Sequence, residues 1–244
     1  METGARATAG QHGRTFCAEC IQAGDCLVRV LNGGESTGRC HVLHRGETVF
    51  RAGEPLREIH MLRSGAVKTR VCSAGGQERV LGLHASGDIL GVEAIATGVH
   101  GCDAVALDTV SVCTLPASRL FPSAAQASWA QGELLRRASA ALADQQRQVL
   151  LLGHASAEQR VAGFLLQRSR RQQRLGLSPR CLHLPMSRAD IASYLALAVE
   201  TVSRVLTRLQ ELGVVAVNRN EVHIVDAPRL QAVANEPGRR QFQP

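Results

Sequence analysis

Aromatic side chains are scarce in this chain: phenylalanine, tyrosine and tryptophan make up 3% of its 244 residues. Aliphatic side chains must therefore fill whatever cores it forms. Long apolar runs are missing too. No stretch reaches the roughly eighteen consecutive apolar residues of a membrane-crossing helix, so no membrane partner is expected. Residues 1–16 are small, polar and partly basic, which is unlike the apolar centre of a signal peptide. The expected location is cytoplasmic, where thiols stay reduced, so clustering among the eight cysteines points to ligation rather than disulfides. No catalytic constellation stands out, and the chain does not read as an enzyme. Lone histidines such as His60 and His84 read as packing or surface residues.

What is present is a basic, globular composition, with 45% hydrophobic residues, 20% charged residues and a net charge of +7. The length allows two ordinary domains, each with its own core. The charge is uneven, because the chain from Ser156 onward holds 13 arginines against 7 acidic residues. A basic domain attached to a nearly neutral one is the electrostatic footprint of phosphate-backbone binding, although a solvated basic surface gives the same count.

The predicted fold class is α+β, in six segments: a lead at residues 1–16, a cysteine-rich segment at 17–34, strands at 35–122, a long helix at 123–153, a DNA-reading domain at 154–228 and a tail at 229–244. Short apolar runs such as Thr48-Val49-Phe50, Ile59 to Leu62, Ala66 to Val71, Ala104 to Leu107 and Val110 to Val112 are separated by turns at Gly46, Gly53, Gly65 and Gly87. That rhythm predicts an antiparallel β-roll or jelly roll. In the long helix, Leu135, Ala138, Leu142, Gln145, Val149 and Leu152 alternate at spacings of three and four. This heptad seam predicts pairing with a second copy, although a helix buried on its own sheet gives the same period. A further helix from Ser156 to Arg171 places Val161, Phe164 and Leu165 inward and Arg160, Arg168 and Arg171 outward.

Ser187 with Asp190 three residues on forms a capping box opening a short helix, and Ala196-Leu197-Ala198 turns into a second. The second helix is expected to bury Val202, Val205, Leu206, Leu209 and Leu212 and to expose Glu200, Ser203, Arg204, Thr207 and Arg208. In a helix-turn-helix, the start of the second helix meets base edges in the major groove. Arg204 suits guanine, Glu200 a cytosine amino group, and Ser203 either partner; Thr201 and Arg208 complete the predicted DNA-binding set. Gly213 closes the helix, and Val214 to Val217 and Glu221 to Val225 form a two-stranded wing. A helical hairpin with a solvated polar face is the bland alternative.

Cys17, Cys20 and Cys26 crowd into ten residues and can bind a metal or an iron–sulfur cluster through thiolates. Together with Phe50-Arg51-Ala52-Gly53, Leu62-Arg63-Ser64-Gly65, Gly87-Asp88-Ile89-Leu90-Gly91, Leu150-Leu151-Leu152 and Val199 to Arg204, they make the chain resemble the CRP/FNR family of bacterial transcription regulators. The similarity is to its oxygen-sensing FNR/ANR branch. The resemblance implies a β-roll sensor, a dimerisation helix and a winged helix-turn-helix. It also implies an oxygen-labile 4Fe-4S cluster on Cys17, Cys20, Cys26 and Cys113, with DNA bound when the cluster is intact. It further implies a homodimer on a two-fold TTGAT/ATCAA-like DNA site, and RNA polymerase contact through loops such as Ser73 to Glu78. Cys102 competes for the fourth ligand position, and Cys40, Cys72 and Cys181 read as small packing residues. A zinc at the same thiolates, a cluster-free thiol sensor or a CxxC redox enzyme are the alternatives. The family's cyclic-nucleotide sensors hold their ligand with a Gly-Glu pair and an Arg-Ser pair, whereas this chain has Gly91-Val92 and no arginine between Arg79 and Arg119, so no cyclic nucleotide is expected. Ala196 stands where the branch commonly has glycine, which strains the turn if φ is positive there.

Overall fold

The computed structural model describes residues 39–73, 75–120 and 127–235. Cys17, Cys20 and Cys26 therefore lie outside the described residues. Clustering of contacts gives two compact units, one holding the described residues up to Cys72 with Leu81–Ser139, the other Ser73–Val80 with the described residues from Ala140 onward.

The strands are β1 (Arg39–Leu43), β2 (Thr48–Phe50), β3 (Glu58–Ser64), β4 (Ala66–Cys72), β5 (Glu78–Ala85), β6 (Ile89–Leu90), β7 (Asp103–Ala106) and β8 (Val110–Pro116). They form two four-stranded sheets, ordered β1-β8-β3-β6 and β2-β7-β4-β5, which is the expected roll. Gly65 joins β3 to β4 at φ +82°, and a Cβ there would lie 2.5 Å from the Thr109 carbonyl oxygen, so the turn requires glycine. Leu62, Val67, Ala104 and Val112 belong to one buried cluster. Ile59, Met61, Leu115 and Leu120 form a second, against which Cys113 and Leu134 pack.

Leu134 belongs to α1 (Ala127–His154). Arg137 on the same helix donates to the Gly87 carbonyl at 3.2 Å, fixing its early turns to the roll. The second unit holds most of the remaining elements: α2 (Ala157–Arg174), β9 (Cys181–His183), α3 (Arg188–Leu195), α4 (Val199–Glu211), β10 (Val215–Asn218), β11 (Glu221–Ile224) and α5 (Ala227–Asn235). A capping box of Ser156 and Gln159 opens α2. Val161, Phe164 and Leu165 on that helix are buried as expected.

Three expectations are corrected. The wing is three-stranded, in the order β10-β11-β9, with Val222 opposite Leu182. Residues Ala227–Asn235, across the expected boundary between the reader (154–228) and the tail (229–244), form a helix whose first turn is capped by Asp226 accepting from the Arg229 amide at 2.9 Å. Arg160 does not point outward: its guanidinium donates to the carbonyls of Leu152, Ala155, Leu195 and Ala196, at 2.8, 3.0, 3.2 and 3.3 Å. It thereby satisfies acceptors at the ends of both α1 and α3, which helix geometry leaves without intrahelical partners.

Candidate functional site

Ser187 begins the reader. Its Oγ accepts from the Asp190 amide at 3.0 Å, while Asp190 accepts from the Ser187 amide at 2.9 Å, and burial of Asp190 holds this box in place. Ala196 ends α3 in the left-handed region at φ 53°, ψ 48°. The chain thus turns sharply into α4, where Val202, Val205, Leu206 and Leu209 are buried. Leu212, expected to be buried, is 40% exposed. Gly213 at φ 68° stops the helix, and the Val214 amide returns to the Leu209 carbonyl at 2.9 Å.

The opposite face presents Glu200, Ser203, Arg204, Thr207 and Arg208 to solvent, with Thr201 half-buried beside them. The Ser203 hydroxyl donates to the Val199 carbonyl at 3.0 Å and Thr207 to the Ser203 carbonyl at 3.1 Å. Their oxygens therefore keep acceptor capacity toward a ligand. Arg208 carries a partner that sequence reasoning missed, Glu158 of α2, 3.1 Å from its Nε. Both are largely exposed, so the pair exchanges readily with another anion. Gln210 accepts from the Val217 amide at 3.1 Å and ties α4 to the wing. Between them lies a groove of about 210 Å³ bounded by Arg188, Ser203, Leu206, Thr207, Gln210 and Val217.

The seam residues of α1 also face outward. Leu135, Leu142 and Val149, seven residues apart, are 68%, 57% and 69% exposed. Ala138 and Gln145 are exposed between them, and Leu152 is half-buried. Asp144, next to Gln145, pairs with Arg147 on the same helix.

Cys113 lies on β8, half-buried, directly opposite Cys40 on β1. Cys40 was expected to be a packing residue, but it sits 3.0 Å from Ser111 Oγ. Its thiol is held well below the ordinary value by a hydrogen bond with Cys113, helped by Ser111 and Arg63 against desolvation. The packing cysteine is instead Cys102, 5% exposed in the roll core. Burial, with Glu93 and Asp103 nearby, pushes its thiol up to about 11. Cys72 and Cys181, also expected to pack, are exposed.

Gly91, at φ +93°, begins a short helical turn at Val92–Ile95. His100 Cε1 lies 3.2 Å from where a Cβ would stand on Gly91. The His100 ring stacks on Phe50 at 3.8 Å, and its Nδ1 is 3.3 Å from Glu93. Phe50 also stacks at 5.9 Å with His60, whose Nδ1 is buried without a hydrogen-bond partner. Among the described residues no group of three or more histidine, cysteine or acidic side chains is arranged to hold a metal ion. No described helix is long and apolar enough to cross a membrane.

Residues 40–124 match the cyclic nucleotide-binding domain family, and residues 159–233 the Crp-like helix-turn-helix domain family. The chain is 38% identical to the transcriptional activator protein Anr of Pseudomonas protegens over 229 residues, covering 91% of this chain and 94% of that protein. It is 34% identical to the fumarate and nitrate reduction regulatory protein of Escherichia coli, covering 89% and 90%. The structure of FixK2 from Bradyrhizobium japonicum superposes with a TM-score of 0.74 at 28% identity, covering 80% of this chain and 96% of that one. These relatives are regulators rather than enzymes, and the chain belongs to the CRP/FNR family as a DNA-binding transcription regulator of the FNR/ANR type.

Proposed function

We propose that this protein is a cytoplasmic oxygen-responsive transcription activator that binds DNA as a homodimer while a 4Fe-4S cluster is intact. Cys17, Cys20, Cys26 and Cys113 would hold the cluster, which when bound supplies the oxygen-labile centre. Four thiolates are the donor set such a cluster takes. Cys113 suits the fourth place better than Cys102, because its sulfur is half-buried at the roll's face rather than enclosed in the core. A thiol raised by burial is also a poor ligand, since ligation requires the thiolate.

The observation that carries the reading is the position of Cys113. It packs against the same buried cluster as Leu134 of α1, the residue just before Leu135, where an exposed apolar stripe begins. A change at the ligand is therefore felt by the helix whose Leu135, Leu142 and Val149 would form the dimer seam. Pairing of two copies places two α4 helices on a two-fold site, of TTGAT/ATCAA type by resemblance, with Arg204 at a guanine, Glu200 and Ser203 at neighbouring base edges, and Arg208 at the backbone. RNA polymerase would meet loops of the roll such as Ser73 to Glu78, and transcription would follow the absence of oxygen. No cyclic nucleotide takes part, because the place for its phosphate offers no arginine and is flanked by the stacked His100 and Phe50 rings.

Anaerobic purification tests the reading. Brown protein with iron and acid-labile sulfide in equal amounts is expected, and Cys113→Ser should lose both. Colourless protein with stoichiometric zinc would replace the cluster with a structural metal.

A further inference from the structure

Cys40 and Cys113 are register partners across the antiparallel β1–β8 pair. Directly opposed residues project to the same face with Cα atoms about 4.5–5.5 Å apart. A disulfide spans Cα distances of about 4.4–6.8 Å, so the backbone already offers the reach. Both sulfurs are half-buried rather than enclosed. Among the described strands β1 is the edge of its sheet, so it can shift toward β8 without breaking a second ladder. Cys102 lacks access, being enclosed in the core, and Cys181 faces His223 across its ladder rather than a thiol.

We propose that Cys40 and Cys113 are a redox-active thiol pair that closes to a disulfide under a hydroperoxide and so withdraws Cys113 from the cluster ligands. The effect on the cluster rests on Cys113 being its fourth ligand; the disulfide does not. The Cys40 sulfur attacks one peroxide oxygen, the O–O bond breaks, and the other oxygen leaves as water with the thiol proton, giving a sulfenic acid. The Cys113 sulfur then attacks the Cys40 sulfur, the S–O bond breaks, and hydroxide leaves as water with the Cys113 proton. Two thiols lose two electrons in total, and one hydrogen peroxide becomes two waters. Cluster reassembly would then wait for a thiol reductant, which makes the pair a record of oxidant exposure.

The test uses the full-length protein, with and without its cluster, treated with hydrogen peroxide, alkylated, digested and weighed by mass spectrometry. Cluster-free protein should yield a peptide linking Cys40 to Cys113 that a thiol reductant separates. Cys40→Ser should yield none, keep its cluster when untreated, and regain cluster absorbance after peroxide without reductant, where the parent does not. Recovery of Cys40 and Cys113 as separate peptides would overturn the proposal, as would bleaching of untreated Cys40→Ser, which would make Cys40 itself a ligand. Linkage that forms as fast in cluster-loaded protein keeps the thiol pair and contradicts Cys113 as a ligand.

Discussion

Arg204 lies about one turn into α4 on its exposed face, where a bidentate bond to guanine is worth about 1–3 kcal/mol of discrimination. Arg204→Ala should weaken binding to the two-fold site by that amount and relax preference at one base, as measured by competition between site variants. Unchanged affinity would remove it from base reading. Arg208 and Arg160 show what residue types alone conceal: both are arginines on helices, yet one pairs with Glu158 and the other closes the ends of two helices. Nothing in their spacing distinguishes them, because two of the carbonyls Arg160 serves, those of Leu195 and Ala196, are distant in sequence. His60 is also set by its surroundings. Burial first, then His100 and His41, lower its imidazole to about 4, against about 6.5 in an unfolded chain. The unfolded chain therefore takes up a proton between these values while the fold does not. Stability is complete above about pH 6.5 and falls toward pH 4 by on the order of 3 kcal/mol. Urea unfolding of the parent and of His60→Leu across that window should show a shallower acid loss in the variant.

The elements were legible where glycine turns and caps mark them. Gly46, Gly53, Gly65 and Gly87 all take positive φ at the strand turns, and the Ser187–Asp190 box opens α3 where the sequence places it. Strand β9 was not legible, since three residues between Pro179 and Pro185 carry no period, and pairing with β11 alone makes them a strand. Helix α5 had a signal, Asp226 followed by Pro228, that an expected tail obscured. Ala196 is a local conflict that the fold overrides: a non-glycine residue in the left-handed region costs about 1–2 kcal/mol, which glycine avoids at a smaller entropic cost. Ala196→Gly should raise the unfolding free energy by about 1 kcal/mol in denaturant titration and leave DNA preference unchanged. A lower stability would mean that the alanine methyl packs usefully. At the α1 seam, Gln145 is exposed and neutral. Gln145→Asp would set two carboxylates face to face and should shift the cluster-free protein toward monomer in sedimentation. Equal dimer fractions would take Gln145 out of the seam.

For the molecule as a whole, the roll, the long helix and the basic reader are separate features of the sequence, and in the proposed function their combination would turn a ligation event into a change in DNA affinity. The excess of arginine from Ser156 onward supplies attraction to any DNA, while the proposed regulation would require that the two copies of α4 be held in register by the seam. The roll and reader could be recognised from local patterns. The packing of Cys113 and Leu134, 21 positions apart in the sequence, against one shared buried cluster appears only in the fold. The measurement that tests this account most directly is DNA affinity on one anaerobic sample before and after air, at fixed salt, on a fluorescent TTGAT/ATCAA duplex, with iron content followed in parallel. The account predicts tight binding by brown dimeric protein and loss of binding in step with loss of the cluster. Affinity that stays constant while the cluster disappears would contradict it.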